Sequence, residues 1–122
     1  MYELKVVSRF AAAHQLTMVA KKCENLHGHN WKVELHVTGE KLNHAGVVMD
    51  FGEIKQYLSE IITGLDHKFL NELVFFQDGN PSSENIAKYI AEAVQEKIGD
   101  HNVRVSRVTA WESEDAAATY IP

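Results

Sequence analysis

One cysteine, Cys23, stands in the whole chain, so no internal disulfide can form and a reducing, cytoplasmic setting is expected. Positive charge is also short: 12 Lys and Arg against 17 Asp and Glu leave a net charge of −5. That balance lacks the basic excess with which proteins neutralise nucleic-acid phosphates. A small anionic substrate stays open, because a few local lysines suffice for one. No apolar run approaches the roughly 18 residues that span a bilayer. The first residues, Met1-Tyr2-Glu3-Leu4-Lys5, lack the basic-then-apolar layout of a signal peptide. Neither nucleic acid nor membrane is therefore expected as a partner. Internal repeats, low-complexity tracts and Pro/Gly/Ser linkers are missing too, so residues 1–122 read as one domain with one core. Nothing resembles a glycine-rich dinucleotide loop, and no nicotinamide cofactor is expected.

What is present is concentrated in one stretch. Cys23-Glu24-Asn25-Leu26-His27-Gly28-His29 sets two imidazoles two residues apart beside the only thiol, and His14 lies upstream. In an extended segment residues i and i+2 point to the same side, so His27 and His29 can face a single metal ion. Three histidines with one exchangeable position is a known catalytic zinc arrangement. The nearby thiol is either a fourth ligand or a base. Lys21 and Lys22 are adjacent, and positive neighbours favour the thiolate, the reactive form. The remaining histidines, His36, His44 and His101, are expected in solvent.

Residues 2–10 alternate Tyr2, Leu4, Val6 and Phe10 with Glu3, Lys5 and Arg9, the pattern of a half-buried strand. Residues 31–40 do the same, with Trp31, Val33, Leu35 and Val37 on one parity. Between them an irregular loop is expected from 14 to 30, longer than compact domains usually keep without a functional reason. Asp50 and Glu53 have capping-box spacing, and Ile54, Tyr57, Leu58, Ile61 and Ile62 follow at helical intervals, with Gly64 as a stop. A second helix opens at Pro81-Ser82-Ser83-Glu84, carries Ile86, Ile90, Val94 and Ile98, and ends at Gly99. Two more strands are expected at about 103–112 and 116–121, joined by Ser113-Glu114-Asp115. The expected fold class is α+β: a four-stranded antiparallel sheet with two helices on one face, in the order ββααββ.

Together, the motifs resemble those of the 6-pyruvoyltetrahydropterin synthase family. They are Cys-x3-His-Gly-His, the earlier His14, Gly46 to Asp50-Phe51, Leu65-Asp66-His67, Asn80-Pro81-Ser82-Ser83-Glu84 and the late Glu112. The three-residue gap from Cys23 to His27 resembles the bacterial 6-carboxytetrahydropterin synthase branch, of the queuosine pathway, more than the animal pyruvoyl branch, whose gap is longer. The resemblance runs nearly end to end and implies the tunnelling fold, assembled as a homohexamer with active sites between subunits.

That resemblance implies roles residue by residue. His14, His27 and His29 would bind Zn2+, and Cys23, Asp66 and His67 would move protons as a catalytic group. Glu112 would accept the donors of a pterin ring, while Ser82 and Ser83 would contact the pterin beside their service as helix caps. The implied substrate is a pterin triphosphate, with Lys21, Lys22 and Arg9 the nearest candidates for its phosphates. Two alternatives stand beside it: a 6-pyruvoyltetrahydropterin synthase, and a non-catalytic zinc-binding assembly protein in which Cys23 closes the metal site.

Overall fold

The computed structural model describes residues 1–16 and 26–122, with the side chain of His27 outside that description. Its frame is a ladder between β1 (Tyr2–His14) and β2 (His27–Gly39), antiparallel and in register from Tyr2 opposite Gly39 to His14 opposite His27. Both strands are longer than the alternation suggested. β1 thus runs on through His14 and β2 begins at His27, so His14 and His29 stand on strands rather than in a loop. The reason lies in composition. Ala11-Ala12-Ala13 and Gly28 carry no apolar–polar alternation, so strand periodicity is silent where pairing continues.

β2 pairs on its other side with β4 (Arg104–Trp111), and β5 (Ala117–Tyr120) closes that edge. The expectation of four antiparallel strands needs one correction. A two-residue β3 (Lys68–Phe69) runs parallel to β1 at Ala12–Ala13, giving a five-stranded mixed sheet in the order β3-β1-β2-β4-β5. No pattern of two residues is legible in a sequence; this strand exists because a turn at His67 lays the chain against β1.

Helices α1 (Phe51–Thr63) and α2 (Ser83–Lys97) pack against the sheet and each other. Ile54, Leu58 and Ile62 of α1 and Ile86, Ile90 and Val94 of α2 are buried against Val6, Phe10, Trp31, Val33, Leu35 and Val108. Asp50 caps α1 as expected, its Oδ1 accepting from the Gly52 N–H at 2.6 Å. The other half of the capping box is not made, because Glu53 accepts instead from the Tyr57 hydroxyl at 2.9 Å. Gly64 is the C-cap yet keeps a right-handed φ of −74°, and the left-handed residue comes three positions later, at His67 with φ 57°.

The sheet face away from the helices is polar and partly closed over itself. A bulge between His36 and Val37 lets consecutive residues of β4 reach β1. The Ser106 hydroxyl and the Arg107 guanidinium both donate to Glu3, at 2.9 and 3.0 Å. This bridge from β4 to β1 passes over β2, where His36 lies opposite Lys5 and Arg107. His36 is therefore buried, not solvated, and its Nδ1 has no hydrogen-bond partner among the described residues. His44 and His101 are exposed. Burial, then the Arg107 charge, hold the His36 pKa below its usual value; Glu3 and Glu34 oppose this, and Lys5 adds to it.

A native pKa below the unfolded value means that the unfolded chain binds the proton more readily. This part of the stability is complete above the unfolded histidine value of about 6.5 and is lost as pH falls through it toward the folded value. Replacing His36 by Gln is expected to shrink the loss of thermal stability between about pH 7.5 and pH 5.5. Parallel melting curves check it; equal losses in both proteins would exclude the role.

Candidate active site

At the end of the sheet where β1 stops and β2 begins, three potential ligands converge. His14 from β1, His29 from β2 and Glu112 just after β4 bring their donor atoms within 4.8 Å of one another. The register explains it: His29 lies opposite Ala12, two residues from His14 and on the same face, and the chain leaving β4 passes beside β2. Glu112 Oε1 lies 2.9 Å from His14 Nε2 and 3.0 Å from His29 Nε2.

His14 is 1% exposed, and the surroundings of its ring decide its chemistry. Its Nδ1 lies 2.8 Å from the Pro81 carbonyl, which can only accept, so Nδ1 carries the proton. In the neutral ring Nε2 then presents a lone pair toward a carboxylate oxygen. Two acceptors 2.9 Å apart in a part-buried site repel unless a cation such as a metal ion lies between them. Two imidazole nitrogens and a carboxylate oxygen are donors suited to zinc, and a carbonyl on the far ring nitrogen is the usual orienting contact of a metal-bound histidine. The residues present fit the metal.

Trp31, fully buried, packs edge-on against both rings with centroids at 5.2 Å from His14 and 5.6 Å from His29, and it stacks on Phe10. Asn71 pins the chain after His14: its side-chain oxygen accepts from Gln15 N–H at 2.8 Å and its amide donates to Gln15 C=O at 2.7 Å. Trp31 and Asn71 are site-shaping residues that pattern reasoning missed, Trp31 because it reads as ordinary core and Asn71 because only folding brings it near Gln15.

A second group forms at the edge of β1. Asp66 Oδ1 accepts from Ala11 N–H at 2.9 Å, and His67 N–H donates to Ala11 C=O at 2.6 Å. Asp66 Oδ2 lies 3.0 Å from His67 Nδ1. Adjacent residues on a strand would point apart; the left-handed φ of His67 brings the two together, at a cost of about 1–2 kcal/mol for a residue bearing a Cβ. The Ala11 N–H, with His67 second, holds the Asp66 carboxyl below its usual range, so it stays ionised beside the His67 ring.

Of the residues singled out from sequence, His14, His29 and Glu112 form one cluster, and Asp66 and His67 a second. Ser82 caps α2, its Oγ accepting from Asn85 N–H at 3.2 Å, and Ser83 begins the helix, both beside the Pro81 that orients His14. Cys23, Lys21 and Lys22 lie outside the described residues. For His27 only the backbone is described, opposite His14. A cavity of about 500 Å³ is walled by His29 on one side and His67 on the other.

Comparison with known proteins settles the family. The family model for 6-pyruvoyl tetrahydropterin synthase matches residues 3–122. The chain belongs to that family. It is 38% identical to a putative 6-carboxy-5,6,7,8-tetrahydropterin synthase of Archaeoglobus fulgidus, over 90% of this chain and 87% of that protein. It is 36% identical to a dihydroneopterin monophosphate aldolase of Pyrococcus furiosus, over 87% of this chain and 85% of that one. Its fold is that of the Caenorhabditis elegans 6-pyruvoyl tetrahydropterin synthase, with a TM-score of 0.88 at 25% identity, covering 99% of this chain and 95% of that one. The tunnelling fold expected from the motifs is the one found.

The cluster geometry carries its own expectation. Competition with a chromogenic chelator should show zinc affinity falling at least about 100-fold in His14→Ala and in His29→Ala, and about 10-fold in Glu112→Gln. Glu114→Gln, in the exposed turn, should bind zinc as the parent does.

Proposed function

We propose that the protein is a zinc-dependent 6-carboxy-5,6,7,8-tetrahydropterin synthase, converting 7,8-dihydroneopterin triphosphate to 6-carboxytetrahydropterin, acetaldehyde and triphosphate in queuosine biosynthesis. The observation that carries this reading is the single cavity of about 500 Å³ that joins the candidate metal ligand His29 to the acid–base residue His67. Zinc held by His14, His29 and His27, with Glu112 alongside, would supply Lewis-acid polarisation to hydroxyl oxygens of the substrate side chain. The chain's own groups do the rest. Cys23 as thiolate takes a proton from the side chain. His67 has Nδ1 committed to Asp66, so Nε2 is the atom that gives or receives a proton at the substrate. Glu112 accepts from the ring N–H and 2-amino group of the pterin, against the wall formed by Trp111 in a neighbouring cavity of about 660 Å³. Ser82 and Ser83 contribute at the same corner.

Active sites between subunits fit a chain whose sheet ends in edge strands. β5 and the two-residue β3 each leave one side unpaired within the described residues, and closing a ring of subunits removes such edges. The proposed assembly is a homohexamer. No described helix is long and apolar enough to cross a membrane.

A second reading is favoured by the Pyrococcus furiosus relative, which matches over nearly as much of the chain: carbon–carbon cleavage of dihydroneopterin monophosphate. Pyruvoyltetrahydropterin formation is a third outcome on the same site. Incubating the zinc-loaded protein separately with dihydroneopterin triphosphate and monophosphate, and identifying products by mass spectrometry, separates them. A carboxytetrahydropterin with acetaldehyde supports the proposal; a pyruvoyl product or turnover of the monophosphate alone replaces it; no product from either points to a metal-binding protein without catalysis.

With the active substrate in hand, Cys23→Ala and Asp66→Asn are each expected to lower kcat by about 100-fold or more while zinc content stays at the parent level. Loss of zinc in Cys23→Ala would instead make the thiol a ligand of a closed site.

A further inference from the structure

We propose that Asn71 is a positioning residue for the candidate metal ligand His14. It lines neither of the two cavities at the site and acts by holding the main chain next to that histidine. The inference rests on the metal reading of the cluster above and does not depend on which pterin is the substrate. His14 is the last residue of β1, and strand ends are where pairing frays. On one side its main chain lies opposite His27, and its ring is tied to the Pro81 carbonyl.

The other edge of β1 is secured step by step by the segment that follows α1. Asp66 and His67 bond to Ala11, and Lys68 and Phe69 pair with Ala12 and Ala13. The ladder then stops, because Leu70–Glu72 coils into a single 3-10 turn with Leu70 fully buried. Asn71 reaches out of that turn and supplies the next rung with its side chain. Its carboxamide meets both main-chain groups of Gln15, accepting from N–H at 2.8 Å and donating to C=O at 2.7 Å. A carboxamide carries an acceptor and a donor side by side, as a peptide unit does, so it can stand in for a strand neighbour. His14 is thereby bracketed, with Ala13 held by Phe69 before it and Gln15 held by Asn71 after it. A metal ion binds most tightly where its ligands already stand in place, and a strand end free to move loses affinity when it has to be ordered. The same segment also holds the Asp66–His67 pair, but by separate bonds to Ala11, so the two ends of the clamp can be loosened independently.

The test measures zinc affinity of the full chain by chelator competition, together with hydrogen–deuterium exchange read by mass spectrometry. Asn71→Ala is expected to bind zinc about 10-fold more weakly, the size of effect that supporting contacts of metal ligands carry. Asn71→Asp keeps the bond from Gln15 N–H but sets an acceptor against its C=O, and should bind about 3-fold more weakly. In Asn71→Ala exchange should rise in peptides covering Gln15, while those covering Asp66 to Phe69 stay as protected as in the parent. Asn102→Ala is the control for a purely structural loss. Asn102 pins main chain in the same way beside Gly39, at the opposite end of the β1–β2 ladder. It accepts from the N–H groups of Glu40 and Lys41, each at 3.3 Å, and donates to Lys41 C=O at 3.1 Å. Its loss should lower the melting temperature and leave zinc affinity unchanged. Zinc binding at the parent level in either Asn71 variant, equal weakening in Asn102→Ala, or exchange rising across residues 66–69 overturns the assignment while leaving the metal reading intact. A parent that binds no zinc overturns the metal reading, and the assignment with it.

Discussion

The site depends on one buried imidazole. His14 is closed in by the edge of Trp31, has its Nδ1 tied to the Pro81 carbonyl, and turns its Nε2 toward Glu112 and the ring of His29. Fixing the proton on one nitrogen fixes the lone pair on the other, and a lone pair facing a carboxylate in a part-buried place suits a cation. Four segments distant in sequence are thus coupled by one ring: the end of β1, the start of β2, the corner before α2 and the exit of β4. The helix layer does more than cover the core, since the cap of α2 sets the residue whose carbonyl orients the ligand.

The Asp66–His67 pair is held by different physics. Asp66 and His67 are exposed enough for solvent to screen their mutual attraction, so their arrangement rests on backbone bonds to Ala11 rather than on charge. A non-glycine residue in the left-handed region persists only where its surroundings over-determine it, and here two hydrogen bonds to one strand residue and a short parallel pairing do so. The same β1 edge thereby positions the Asp66–His67 pair by main chain, while β1's last residue is itself a candidate ligand. One cavity touches both groups, through His29 and His67, because the Asp66–His67 pair hangs from Ala11, beside the β1 residue that lies opposite His29.

Much of this was legible in the residues. The caps at Asp50 and Ser82, the stripes of both helices and the core parity of Trp31, Val33, Leu35 and Val37 follow from periodicity and capping chemistry, which are local. The likeness of the spaced motifs carried the family and pointed to His14, His29, Asp66, His67 and Glu112. Less legible were the ends of β1 and β2, where alanines and a glycine pair without any alternation to announce it. His36 looked solvated because its parity is polar; it is buried because side chains from two other strands join above it. Glu112 read as a substrate contact alone, and nothing near it in sequence reveals that it also reaches two histidines.

The residues alone thus determined the types of the long elements, the starts of both helices and the family, since each depends on side-chain identity at short spacing. Only the tertiary structure decided which nitrogen of His14 faces the cluster, that a left-handed turn brings the side chains of Asp66 and His67 together, and that His29 and His67 share a cavity. Those relations are made by backbone register and by contacts between residues dozens of positions apart, and hydrogen-bond partners chosen across such distances leave no period in the chain.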